Sequence, residues 1–130
     1  MTRTVTIPVD LKFEALSANG RVHWAVRQAR TKALRDKAKV LTCAAHIPLM
    51  NRAHLTVTVH WPDRRRRDVA NLSPTIKALI DGMVSDAGLL PDDDDKHLIG
   101  PDLRVDSDVS GRPGLAVLAF TWDDISDGAW

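Results

Sequence analysis

Near its start the chain alternates Thr4 and Thr6 with Val5, Ile7 and Val9, the period of two expected of a half-buried strand, and Pro8 suits an edge or a strand end. From about His23 to His46 the period changes. Leu34, Ala38, Leu41 and Ala45 fall at i, i+4, i+7 and i+11, which predicts a long first helix. Between strand and helix, Ser17, Ala18, Asn19 and Gly20 form a turn signal. Pro48 and Asn51 break the helix, and over residues 53–61 Leu55, Val57, Val59 and Trp61 alternate with His54, Thr56, Thr58 and His60, the clearest strand in the sequence.

The second half opens on another helix. Ser73 reads as its N-cap and Pro74 as its first position, where a missing N–H costs nothing. Ile76, Leu79, Ile80, Met83 and Val84 then make a complete apolar stripe, and Gly88 is placed to end the helix after Asp86 or Ala87. A strand over 98–105, a turn from Ser110 to Gly114 and a last strand over 115–122 follow. That last strand is apolar on both faces and is expected at the centre of the sheet, with 123–130 as a frayed tail. The order is β-α-β-α-β-β: a single α/β or α+β domain over 1–130, with a mixed sheet of about four strands covered by two helices.

Composition narrows the class. With 44% hydrophobic and 27% charged residues and no apolar run long enough to span a bilayer, the expectation is a cytoplasmic globular protein without a membrane partner. The first ten residues lack the apolar region of a signal peptide. Cys43 is the only cysteine, so an internal disulfide and a cysteine-ligated zinc site are excluded, and a small core residue is the expected role. His23, His46, His54, His60 and His97 show no metalloprotease spacing, and neither a P-loop nor a nucleophile elbow occurs.

Net charge conceals an asymmetry. Residues 1–67 hold 14 Lys/Arg against 4 Asp/Glu, whereas 68–130 hold 4 against 13. A chain divided in this way suits a polyanionic partner, with the basic part supplying phosphate contacts. Its densest cationic stretches are Arg64, Arg65, Arg66 and Arg67 and the first helix's Arg27, Arg30, Arg35, Lys37 and Lys39. The acidic part concentrates in Asp92, Asp93, Asp94 and Asp95. Adjacent carboxylates repel unless a cation joins them. Mg²⁺ is held by one or two carboxylates plus waters and serves phosphate chemistry, so Asp68 with the 92–95 cluster is a candidate metal site. Lys77 and Asp81, one helical turn apart, lie beside the apolar stripe, where they would form a surface ion pair or look back toward Asp68.

Taken in order, Asp63, the four arginines, Asp68, Val69, Ala70 and Asn71, then Lys77 and Asp81, then Ala87, Gly88 and Asp92-Asp93 resemble the RusA family of Holliday-junction resolvases. That family has an arginine-rich strand end, an R-D-x-D-N-L motif, a helix with a Lys four residues before an Asp, and a closing A-G-x-x-D-D element. The resemblance implies a homodimeric, Mg²⁺-dependent endonuclease, with Mn²⁺ as a substitute, that resolves four-way DNA junctions in recombination and repair. It also implies a bacterial, phage or prophage setting. On the matching positions, Asp68, Asp92 and Asp93 would hold the metal. Asp68, Asp93 and Lys77 would be catalytic, while Asn71, Arg64 to Arg67, Arg27 and Arg30 would contact DNA. Two departures stand out: the motif's second aspartate is Ala70, and the stretch between Asn71 and Lys77 is about three residues longer. Asp81, Asp94 and Asp95 are the acids placed to compensate. A protein that binds branched DNA without cutting it, or a nuclease for other branched DNA, is the alternative.

Overall fold

The computed structural model describes residues 3–12, 15–16, 23–111 and 114–126. Its elements are β1 (Arg3–Leu11), α1 (Trp24–Ala44), β2 (Ala53–His60), a 3₁₀ turn (Val69–Leu72), α2 (Ser73–Asp81) continued by one π turn (Gly82–Asp86), β3 (Leu98–Val105) and β4 (Ala116–Asp124). The sheet order is β1-β4-β2-β3. β4 is antiparallel to both neighbours and β3 is parallel to β2, so β2-α2-β3 is a βαβ crossover at one end of a mixed sheet. The last strand is central and Pro8 lies exposed on an edge strand, as the pattern required. The turn at residues 17–20 lies outside the described residues, as does part of the turn before β4.

Register explains the core. Ile7 and Val57 both pair with Phe120, and Val9 and Val59 with Leu118, so their side chains share one face of the sheet. That face is buried together with Leu34 and Ala38 of α1 and Ile76, Leu79, Ile80 and Met83 around α2. The opposite face carries Thr4, Thr6, His54, Thr56, Thr58 and Thr121, which are half-buried or exposed. Such a one-sided burial is what an antiparallel core permits. β3 is barely covered, with Leu98 its one buried residue.

Several sequence expectations need correction. The buried stripe of α1 runs Leu34, Ala38, Thr42, with Leu41 half-buried and Ala45 exposed. Cys43 is exposed because it lies off that stripe and is no core residue. Ser73 does not cap α2. The cap is moved upstream, where the Asp68 carboxylate accepts from Ala70 N–H at 3.0 Å and opens the 3₁₀ turn, while Ser73 Oγ donates to Ala70 O at 2.7 Å. Trp61 falls just beyond β2 and is half-buried. The expected tail is structured as far as Ser126. β4 runs through Asp124, whose carboxylate accepts from Arg3, from Ser126 N and from Ser126 Oγ.

Two glycines are required by geometry. A Cβ on Gly82 would lie 2.4 Å from the Arg35 carbonyl oxygen and 2.8 Å from Ala38 Cβ, so α1 and α2 approach there as only glycine allows. Gly88 has φ +76°, and Leu89 N–H reaches back to Met83 O, ending the helix where the sequence placed its stop.

Candidate functional site

Both charged segments of the chain flank α2. At its entry, Asp63 sits among the arginines. Its carboxylate accepts from Arg67 Nη1 at 2.7 Å, from Arg65 Nε at 3.2 Å and from Arg65 N–H at 3.0 Å. Arg67 first, then Arg65, hold the Asp63 carboxyl well below the usual carboxylate range. Arg67, 17% exposed, also stacks on the Trp61 ring at 5.0 Å. Arg64 and Arg66 are exposed and have no partner among the described residues. The loop therefore holds Arg67, pairs the exposed Arg65 with Asp63, and presents Arg64 and Arg66.

Beyond the π turn, residues 92–97 fold back against α2. Lys77 Nζ donates to Asp93 Oδ2 at 2.5 Å and to Asp81 Oδ1 at 2.9 Å. The hydrogen bonds to Asp93 and then Asp81 raise the Lys77 pKa, and the same contact with Lys77 lowers that of Asp93. Asp92 accepts from Asp93 N–H at 2.7 Å. Asp94 shapes the turn: its side chain accepts from Lys96 N–H at 3.1 Å and its carbonyl from His97 and Leu98 N–H. Asp95 is exposed without a partner among the described residues. The loop is anchored by His97, whose Nδ1–H donates to Asn51 O at 2.8 Å, and by Ala53 N–H to His97 O.

The expected ligands are thus only partly assembled. Among the described residues no three His, Cys, Asp or Glu side chains form a group able to hold a metal ion, so Asp68, Asp92 and Asp93 do not do so together. The two carboxylates that do converge are Asp81 and Asp93, around one ammonium. Oxygen donors gathered about a cation suit a hard divalent ion, which takes one or two carboxylates and completes its shell with water. Of the three acids considered as compensating for Ala70, Asp81 is the one brought to Asp93. Lys77 and Asp81 form the expected ion pair, and Lys77 also pairs with Asp93.

On α1, Arg30 Nη1 reaches Ala15 O at 3.5 Å, beside the Asp68 loop, and Arg27 is exposed. Arg35 is committed elsewhere, in a two-point pair with Asp86 at 2.9 and 2.7 Å. Lys37 donates to Asp10 O.

Sequence reading missed two groups. Thr75, fully buried, accepts from Leu16 N–H at 2.7 Å and donates to Leu16 O at 2.6 Å, fastening the chain after β1 to the start of α2. A threonine within an apolar stripe is its only signal. On the sheet's open face His54 Nε2 lies 2.5 Å from Asp102 Oδ2 and its Nδ1 3.8 Å from Asp123 Oδ2. The alternation of strand β2 places His54 on that face but gives no hint of either partner.

No family model matches the chain, and no curated protein matches it. Among the described residues no helix is long and apolar enough to cross a membrane.

Proposed function

We propose that this protein is a divalent-metal-dependent endonuclease that nicks branched DNA, acting as a homodimer on four-way junctions. One observation carries the reading: Lys77, Asp81 and Asp93 converge on α2, whose entry loop bears Asp68 and the exposed Arg64 and Arg66. The order of motif residues resembling the RusA family supports the same reading.

In this proposal Asp81 and Asp93, the two carboxylates brought together, would hold the metal, with Asp92 adjacent, Asp81 standing in for the carboxylate absent at Ala70, and Asp68 closing on them only when DNA and metal are bound. Mg²⁺, or Mn²⁺ in its place, supplies when bound a Lewis acid and a water of lowered pKa. Asp68 commits one contact to Ala70 N–H, which fixes its direction at the mouth of the arginine loop. Lys77 keeps Asp93 ionised and offers its ammonium to the scissile phosphate as negative charge develops there. Arg64 and Arg66 contact the DNA backbone, with affinity falling as salt rises. A twofold dimer supplies one site per cut strand. β3, an edge strand with Ile99, Leu103 and Val105 partly exposed, is a surface available for that association.

A second reading is a branched-DNA-binding protein that does not cut. Ala70 favours it, and so does the ammonium that already occupies Asp81 and Asp93. Cleavage of a synthetic four-way junction in Mg²⁺, beside a linear duplex and with Asp68→Asn as control, decides between them. Paired symmetric nicks in the junction alone, lost in the variant, establish the nuclease. Tight binding without cleavage in Mg²⁺ or Mn²⁺ establishes the second reading.

A further inference from the structure

A cavity of about 480 Å³ opens at Asp68, which lines it together with the motif's Arg66, Arg67 and Asn71, while its apolar side has no role in the proposed metal site. Its apolar wall is Leu16, Trp61, Leu72 and Leu115, and its rim carries Arg66 and Asn71. The volume lies in the range of small-ligand sites, and a mostly apolar wall with a few polar groups at the mouth is their usual composition.

The cavity is built. Leu16 is held at both its N–H and its carbonyl by the buried Thr75 hydroxyl, and the carbonyl of Ala15 meets Arg30. Arg67, which also lines the cavity, is fixed on the Trp61 ring by its two hydrogen bonds to Asp63. An indole and an immobilised guanidinium plane are the two surfaces on which an unstacked base rests. Arg66, exposed and unpaired among the described residues, adds positive charge at the entrance, where the phosphate attached to that base would lie.

We infer that this cavity binds one unpaired nucleobase of a branched DNA, seating the attached phosphodiester beside Asp68. The inference rests on the nuclease reading and deepens it, because it gives the site a means of selecting a branch point that leaves a base unpaired over continuous duplex. A paired, stacked base cannot enter, and an unpaired one enters without the cost of unpairing.

The test compares two four-way junctions. One carries a single unpaired nucleotide at the branch point, and the other has an abasic residue at that place, so that phosphate number and base pairing are the same. Affinities are measured by fluorescence anisotropy in Ca²⁺. The wild-type protein is expected to bind the abasic junction roughly tenfold more weakly, the scale of one base–aromatic contact. Ala15→Phe, which adds a ring at a residue lining the cavity, should bind both junctions alike. Trp61→Leu should do the same, and far-UV circular dichroism with a urea midpoint verifies that each variant is folded. Equal wild-type affinity for the two junctions overturns the inference and leaves the nuclease reading standing. A difference that persists in Ala15→Phe also overturns it, because the base is then read elsewhere. Failure to bind either junction removes both readings together.

Discussion

The loop entering α2 and the loop folding back beside it carry opposite charge, and each is organised by one residue of the other sign. Asp63 gathers Arg65 and Arg67, whereas Lys77 gathers Asp81 and Asp93. The first unit is local, closed within five residues of chain. The second is tertiary, since Lys77 joins a helix to a loop sixteen residues further on. Both leave surplus charge in solvent, Arg64 and Arg66 in one and Asp95 in the other. Under the proposed function Arg64 and Arg66 would meet the phosphodiester, while Asp95 has no part in the metal site.

Replacing carboxylates breaks the comparison most severely. If the two loops form one phosphodiester-cleaving site, Asp93→Asn and Asp68→Asn each lower Mg²⁺-dependent junction cleavage by roughly two orders of magnitude or more. Asp68→Asn is informative because asparagine caps a helical turn as well as aspartate does, so the fold is preserved. Asp81→Asn should cost a similar factor, since it is the acid brought to Asp93. The double variant Asp94→Asn/Asp95→Asn should retain activity, measured by gel assay of nicked strands. The reverse ranking of these acids would remove Asp81 as the replacement for the carboxylate missing at Ala70.

Gly82→Ala disturbs both loops at once. The added methyl meets the Arg35 carbonyl oxygen and Ala38 Cβ well inside contact distance, so α2 must move off α1. Overpacking of this kind costs about 1–3 kcal/mol, read from the urea midpoint. Junction affinity and Mg²⁺ response should then decline together, in contrast to the single-loop variants. A neutral Gly82→Ala would mean that the interhelical contact does not set the position of either loop.

A smaller effect separates the arginines from one another. Arg64→Ala and Arg66→Ala should each reduce the slope of log affinity against log salt by about one, the signature of one lost phosphate contact. Arg65→Ala should change that slope less, because its guanidinium is already paired with Asp63. Equal slopes for all three would show that Asp63 releases Arg65 when DNA binds.

What could be read in the sequence divides along the same line. Strand β2, the α2 stripe, the Gly88 stop and the central last strand were legible because each depends on periodicity or on one residue's backbone preference. The arginine loop was legible too, since its charges are contiguous. Hidden was whatever the fold must bring together. Periodicity does not mark Asp81 and Asp93 as partners, although the family resemblance put Asp81 among the acids placed to compensate for Ala70, and nothing marks Thr75 as the fastening for Leu16. Ser73 in front of Pro74 reads as an N-cap, but the 3₁₀ turn transfers that task to Asp68, a tertiary choice that overrides a local signal. Trp61 reads as the last inward residue of a strand, yet lies one residue past it and becomes a cavity wall.

The smallest effect is the one that distinguishes the two loops by pH alone. Asp63 and Asp93 both have folded pKa values below the ordinary carboxylate value of about 3.9, Asp63 because of Arg67 and Arg65, Asp93 because of Lys77. A depressed carboxylate contributes stability that is present above its unfolded pKa and lost as pH falls through its folded one, so both loops weaken in acid. Lys77 has the opposite sign. Its folded pKa is raised above about 10.4, so its contribution is present below that value and is lost as pH rises through the folded pKa. Arginine does not titrate in this range, and the entry loop therefore has no alkaline limit. Alkaline solution should loosen the acidic loop and leave the arginine loop intact. Since the Lys77 side chain is 62% exposed, solvent screens the pair and the loss is small. Lys77→Arg, compared with wild type by chemical denaturation at about pH 8 and pH 11, should lose less stability between the two. Equal losses would mean that Lys77 does not hold the loop, and that the neighbouring bonds of His97 to Asn51 and Ala53 keep it in place.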